Sequence, residues 1–312
     1  MDVEKKTLIK NHKTGLWLFA LMFVMYLMGN VLIGIYLFDT IGLYHQLIDV
    51  LIPCILYFIA TRQPVLSTLK LNKGLNGKNM WRIFQLFLAS FLVKYGVNYL
   101  VGAIGNIDSG EVTMQIFDMV PDLLTFFIAV AVIPVVLEEV FIRGVILDHF
   151  RDVNLLQASV ATGVLFGIMH VDIGQFGYAT ALGIVMAAIV LITGSLWAGI
   201  WFHFLNNFFS FAVLGSLRKL EEWYPDLYQL EDVLVEAQPV ELGLADRVVF
   251  IAVALLVLYL GVRLTIRYVR KMKRENGYQD TPSQVGWIRL FVNFPMGTIL
   301  LIYLFINVFL RY

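Results

Sequence analysis

The sequence predicts an all-α fold, a polytopic transmembrane helical bundle of eight to nine spans. Three observations carry that reading. The 312-residue chain is 59% hydrophobic, with a mean hydropathy of +0.78. Only 15% of its residues are charged, against about 25% in a soluble domain. Apolar runs of the ~20 residues needed to cross a bilayer recur along the whole chain. Net charge is zero, so there is no global basic signal for nucleic acid.

The runs place spans at 16–38, 42–60, 81–104, 118–149, 155–171, 176–193, 196–214, 247–268 and 288–310. The short runs flanking Gly174 and Gly194 decide between eight and nine. The first run is too long for a signal-peptide core and no small-residue cleavage site follows it, so it reads as a retained helix. No lipidation motif appears at either end. Basic residues gather in the N-terminal tail (Lys5, Lys6, Lys10, Lys13), the second link (Arg62, Lys70, Lys73, Lys78) and the penultimate link (Arg270, Lys271, Lys273, Arg274). Nine spans put all three on one side, which the positive-inside rule makes cytoplasmic, together with the N-terminus. The acidic link 215–246 falls opposite and reads as a solvated loop. Cys54 is the only cysteine. It excludes intramolecular disulfides and a cysteine-framed zinc site, and its apolar setting reads as simple burial. Without linkers or repeats, 1–312 reads as a single membrane domain, with its costly polar residues concentrated in 118–214.

The costliest of these are Glu138 and Glu139, adjacent within an apolar helix and followed by Arg143. A carboxylate near the bilayer centre costs roughly 2.5–3.5 kcal/mol on insertion scales, and such residues mark functional sites. Glu139 and Arg143 are four residues apart and share a face, so they can pair. Glu138 lies about 100° around the helix and is the freer carboxylate. A buried salt-bridge network of all three is the bland alternative. His170 ends the fifth run. His203 and Asn207, also four apart, share a face of the seventh. At 1.5 Å per residue from each helix's cytoplasmic end, Glu139 lies about 18 Å in, His170 about 24 Å, His203 about 12 Å and Asn207 about 18 Å. All fall in the middle band of a core about 30 Å thick. Gly163 and Gly167, and Gly183 and Ala187, form small-xxx-small pairs that allow close helix approach. Asp49 and Lys94 are a weaker pair that could meet across helices or mark an ion path. His12 and His45 read as interfacial.

Two chemistries fit these residues. Glu138 and His170 could position a water for attack on a peptide carbonyl, with His203 and Asn207 donating to the oxyanion. Alternatively Glu138, His170 and His203 could ligate a divalent metal, zinc foremost, that activates the water. No His-Glu-x-x-His helix is present, which weakens the usual zinc-protease reading. No serine or cysteine stands at nucleophile spacing from these histidines.

Glu138-Glu139-xxx-Arg143, Phe166-xxx-His170 and His203-xxx-Asn207, in that order on successive helices, resemble the motifs of the CAAX protease and bacteriocin-processing family. These are the Abi-type intramembrane endopeptidases related to the Ras-converting CAAX endopeptidase. The resemblance covers residues 118–214 and implies intramembrane endopeptidase activity. It assigns water activation to Glu138 and His170, the oxyanion to His203 and Asn207, and support to Glu139 and Arg143. Family members have been described both as glutamate-dependent and as metalloproteases, so the cofactor is either none or a divalent metal. Expected partners are a membrane-associated CAAX-type, bacteriocin or pheromone substrate and the lipid bilayer, with no nucleic acid. The expected location is a bacterial cell membrane. Two other classes compete. A non-catalytic immunity factor or scaffold would keep its phenotype without Glu138. An ion-coupled transporter would show solute flux and inverted repeats, and no such repeat is visible.

Overall fold

A computed structural model describes residues 10–36, 46–105, 120, 122–224 and 243–310. Among these the chain is an all-α bundle without strands. Its main helices are α1 (His12–Tyr36), α2 (Leu51–Thr61), α3 (Gly77–Gly105), α4 (Leu123–His149), α5 (Leu155–Met169), α6 (Ile173–Thr193), α7 (Leu196–Trp223), α8 (Leu244–Glu275) and α9 (Phe294–Phe305). Six stretches are long and apolar enough to cross a membrane: those within α1, α3, α4, α6, α7 and α8. The other three apolar segments are shorter helices, Gln46–Thr61, Leu155–Met169 and Phe294–Phe309.

Local sequence sets several boundaries. An Asn154/Gln157 capping box opens α5, satisfying two backbone N–H groups that the first turn leaves unpaired. The Asp172 carboxylate caps α6 through the Gly174 N–H at 2.7 Å. Gly194, at φ 66°, closes α6 by donating to the Val190 carbonyl at 2.8 Å. Glycine takes this left-handed conformation without a Cβ penalty.

Small residues set how closely helices approach. A Cβ on Gly183 would lie 2.9 Å from Gly163 Cα, so α5 and α6 meet backbone to backbone. Gly96 of α3 and Gly261 of α8 make the same kind of contact, each facing the other helix's backbone within 2.9 Å of a would-be Cβ. Arg82 donates twice to Glu275, and Asn79 and Asn276 exchange amide hydrogen bonds at 3.0 Å. α8 therefore lies antiparallel along α3. α3 and α7 run parallel, since Ser90 meets Asn206 and Phe91 meets Phe209.

A polar clasp closes one end of the bundle. Asp148, at the end of α4, takes Lys10 at 2.5 Å, Arg151 at 2.7 Å and Lys70 at 3.6 Å. His12 pairs with Asp152 at 2.5 Å. The backbone N–H of Leu196 reaches the Lys70 carbonyl.

Several expectations change. His12 is buried in an ion pair with Asp152, and His45 lies outside the described residues. Asp49 and Lys94 do not pair: Asn30 donates to Asp49 at 2.8 Å, and Lys94 sits 5.1 Å from the Tyr178 ring centroid. Lys78 belongs to the first turn of α3, and Arg270, Lys271, Lys273 and Arg274 to the last turns of α8. Hydropathy marks where a helix leaves hydrocarbon, whereas charged turns can prolong it into water. For the same reason α7 continues to Trp223, into the stretch expected as an acidic loop; residues 225–242 of that loop lie outside the described set. Cys54 is buried and free.

Candidate active site

α4 carries the glutamates, and it is not a plain α-helix. Ile128–Val132 and Glu139–Ile146 are π-helical turns on either side of Ile133–Glu138. Such wide turns recur at functional sites. Pro134 explains part of the local geometry. It has no N–H to offer the carbonyl four residues back, that of Val130. That carbonyl accepts instead from Asn207 Nδ2 on α7, at 2.9 Å. The proline thus links α4 to α7 at the level of the site.

Glu139 and Arg143 are both 0% exposed and form an ion pair of 2.8 Å. Arg143 also donates to the Gly183 carbonyl at 3.3 Å and stacks 4.1 Å from the Phe166 ring centroid. His203 Nδ1 lies 3.2 Å from the same Glu139 oxygen. One carboxylate therefore holds a guanidinium on its own helix and an imidazole on α7. Its second oxygen presses against Gly199, where an added Cβ would collide with it. Replacing Gly199 with Ala is expected to push the carboxylate off His203. The melting temperature in detergent should drop, and an unchanged value would contradict this packing.

Glu138 faces the other way, into a cavity of about 120 Å³. Its Oε1 accepts from Gln46 Nε2 at 3.0 Å, and its Oε2 lies 3.9 Å from His203 Nε2. That spacing is too long for a direct hydrogen bond and suits one bridging water. His170, Asn207, Asn206 and Lys94 line the same cavity. The structure thus brings Glu138, His170, His203 and Asn207 to one cavity. Among the described residues, the histidine within reach of Glu138 is His203, whereas His170 makes no ion-pair contact with either glutamate.

His170 caps the C-terminus of α5 instead of lying within a helix. Val171 follows at φ 57°, a left-handed conformation that a β-branched residue adopts only under constraint. This turn leads directly to the Asp172 cap of α6. His170 Nδ1 meets the Phe166 carbonyl at 2.8 Å. A carbonyl only accepts, so Nδ1 carries a proton and Nε2 is the ring nitrogen not used by that bond. His203 Nδ1 donates to Glu139 at 3.2 Å, which leaves its Nε2 on the side of Glu138. Asn207 spends one amide proton on Val130 and retains a second.

Sequence reasoning missed Gln46, the donor to Glu138. It stands in the short turn Gln46–Asp49, which hydropathy merges into a span. It also missed Asn206, buried beside Asn207, whose amide donates to Phe202 O at 2.9 Å. The Pro134–Val130 relation was readable in principle, since an intrahelical proline always frees a carbonyl four residues earlier.

A zinc site needs about three protein ligands near 2.0–2.3 Å from one point. Among the described residues, no three His, Cys, Asp or Glu side chains converge in that way. His203 Nδ1 is committed to Glu139, and the Glu138–His203 pair lacks a third ligand. These side chains as arranged do not fit a bound metal.

Comparison with known proteins points the same way as the motifs. Residues 120–209 match the family model described as type II CAAX prenyl endopeptidase Rce1-like. A protein of Bacillus subtilis (strain 168) named "Putative membrane peptidase YdiL" is 28% identical over 147 residues. That alignment covers 46% of this chain and 59% of the relative, so the chain spans about three-fifths of the curated relative's length. No solved structure matches. The matched segment runs from the start of α4 to the middle of α7 and contains every residue of the two-glutamate, two-histidine and asparagine constellation.

Proposed function

We propose that this integral membrane protein, whose central segment belongs with the CAAX protease family, is an intramembrane endopeptidase that uses a glutamate-activated water. One observation carries the reading. The Glu138 carboxylate, buried at 7% exposure, faces a polar cavity with His203 one water's width away. Nothing in packing requires that arrangement at membrane depth.

In this mechanism the water bridges Glu138 Oε2 and the cavity. Glu138 takes its proton as the oxygen attacks the peptide carbonyl, with the His170 Nε2 lone pair as a second acceptor. The developing oxyanion accepts from the free amide proton of Asn207 and from His203 Nε2–H. Glu139 makes the second donation favourable by holding the imidazolium from behind. Collapse of the tetrahedral species breaks the C–N bond. The proton held by Glu138 passes to the leaving amine, so one water is consumed and a carboxylic acid and an amine are released. Gln46 keeps Glu138 oriented throughout. The substrate class is a membrane-associated peptide or protein tail, of the CAAX or the bacteriocin and pheromone type. The test is mass spectrometry of such peptides incubated with purified wild type and Glu138→Gln. Equal cleavage by both would sink the glutamate mechanism, whereas a phenotype kept by an inactive variant would favour a binding role.

We further propose that the clasped end of the bundle is cytoplasmic in a bacterial cell membrane. The clasp gathers Lys10, Lys70 and Arg151 around one carboxylate, and Lys78 and Arg82 join Glu275 nearby, as the positive-inside rule favours. With Cys54 changed to Ala, a Lys78→Cys variant should react with a membrane-impermeant maleimide only after cells are permeabilised. Labelling of intact cells would reverse the orientation.

A further inference from the structure

A second cavity opens at the clasped end of the bundle. It holds about 250 Å³, against about 120 Å³ at Glu138, and the two share no lining residue. Its walls come from segments far apart in sequence. His12 and Lys13 open α1, while Gln284, Arg289, Val292 and Asn293 precede α9. No aspartate or glutamate lines it. Lys13 and Arg289 are exposed, and among the described residues neither forms an ion pair. His12 is the buried wall, 5% exposed. Asp152 holds its Nδ1 at 2.5 Å, and among the described residues its Nε2 has no hydrogen-bond partner. The other Asp152 oxygen accepts from the His12 N–H at 2.8 Å. The neighbouring negative charge is therefore committed to His12, while two cations stay available.

The surroundings say which anion fits. Lys13 stands in the first turn of α1, where the membrane-length stretch His12–Val31 begins. Trp17, four residues on and so on the same face, is 47% exposed. Its ring packs 5.6 Å from that of Phe294, itself 77% exposed. Trp287 and Ile288, next to Arg289, are exposed as well. One helical turn thus leads from free cations to an open aromatic and aliphatic surface. Groups follow that order across a bilayer surface: charge at the headgroups, tryptophan at the interface, aliphatic chains within. A soluble phosphate would meet the cations and leave the apolar surface unused. We infer that Lys13 and Arg289 bind the phosphodiester headgroup of an anionic bilayer lipid, whose acyl chains lie along Trp17 and Phe294. The Arg289 fork suits two phosphate oxygens, and Lys13 adds a point charge. The lipid would bridge the start of α1 to the segment ahead of α9. That segment is tied to the clasp where the Gln284 N–H meets the Asp152 carbonyl at 2.9 Å. The inference does not depend on whether the cavity at Glu138 cuts peptides.

The test uses the purified full chain in neutral detergent. Native mass spectrometry reads bound lipid, and thermal unfolding reads stabilisation. The probes are dioleoyl phosphatidylglycerol, dioleoyl phosphatidylcholine, glycerol phosphate and inorganic phosphate. Wild type should bind phosphatidylglycerol about 30-fold more tightly than phosphatidylcholine, since each lysine or arginine contributes about fivefold toward an anionic lipid. Its melting temperature should rise with phosphatidylglycerol. Lys13→Gln and Arg289→Gln should each lower the preference by about fivefold, and the two together should bring it close to one. Arg289→Lys should keep most of it. Arg270→Gln, an exposed arginine of α8 that does not line the cavity, should leave it unchanged. Lys13 and Arg289 are exposed, so without lipid these variants should melt near the wild-type temperature. If the double variant unfolds early, the two single variants carry the comparison. Equal binding of the two lipids by wild type overturns the site. So does a preference that survives the double variant, or one lost equally in Arg270→Gln, which would mean general surface charge. Stabilisation by glycerol phosphate or inorganic phosphate equal to that by phosphatidylglycerol overturns the lipid assignment in favour of a soluble anion.

Discussion

Glu138→Gln is expected to lower proteolysis by about 10²–10⁴-fold, the usual contribution of a positioned general base, with little loss of stability. The two effects separate because the glutamine keeps the shape of the side chain and can still meet Gln46 after an amide flip. It cannot take a proton from water. The contact at 3.9 Å with His203 Nε2 is too long to contribute much to folding, so the melting temperature in detergent should stay near the wild-type value. Rate measurements on one peptide at fixed pH, with thermal unfolding of the same preparations, check both halves. A large fall in melting temperature would mean that Glu138 serves the fold, and the bland salt-bridge network would then replace the catalytic reading.

Arg143→Ala should do the opposite and damage the fold first. It strands Glu139, 0% exposed, without its 2.8 Å partner. Breaking a buried pair from one side generally costs about 3–5 kcal/mol. The Gly183 carbonyl also loses a donor and the Phe166 ring its cation. The double variant Glu139→Gln with Arg143→Met removes both charges together and should recover much of that stability. It should not recover activity, because His203 would no longer be held by a carboxylate. Stability and turnover of the two variants, measured side by side, therefore distinguish structural pairing from catalytic orientation. A double variant as unstable as Arg143→Ala would show that the charge pair is not the source of the loss.

Much of the bundle was legible in the sequence because its signals are strong and local. Among the described residues, apolar runs marked the six membrane-length stretches and the three shorter apolar helices. The cost of charge in hydrocarbon was enough to single out Glu138, Glu139 and Arg143. Helical spacing joined Glu139 to Arg143 and His203 to Asn207. What escaped depends on contacts between distant segments. Nothing local links Gln46 to Glu138, 92 positions away. The Glu139–His203 contact is likewise non-local, so the second glutamate looked like a partner of arginine alone. Lys94 could not be separated from Asp49 by composition, since only the packing of α3 against α6 shows that it faces Tyr178. The ends of α7 and α8 were misplaced because helices persist past the hydrocarbon boundary where charged turns remain soluble.

The Glu139–Arg143 pair also bears on how the protein is made. Both residues lie on one helix, so they can neutralise each other as soon as α4 emerges. Gly183 and His203, their partners on α6 and α7, are synthesised 40 and 64 residues later. The segment with the costliest charges therefore enters the bilayer already compensated and waits for the rest of its site. Lys10 and His12 wait longer still, from the first residues described until Asp148 and Asp152 have been translated. Assembly would thus be paced by the ribosome: α4 inserts as a self-sufficient unit, the N-terminal clasp then closes onto its end, and the reactive cavity forms only when α7 arrives. An early truncated product would be membrane-inserted but would lack the α7 wall of the cavity.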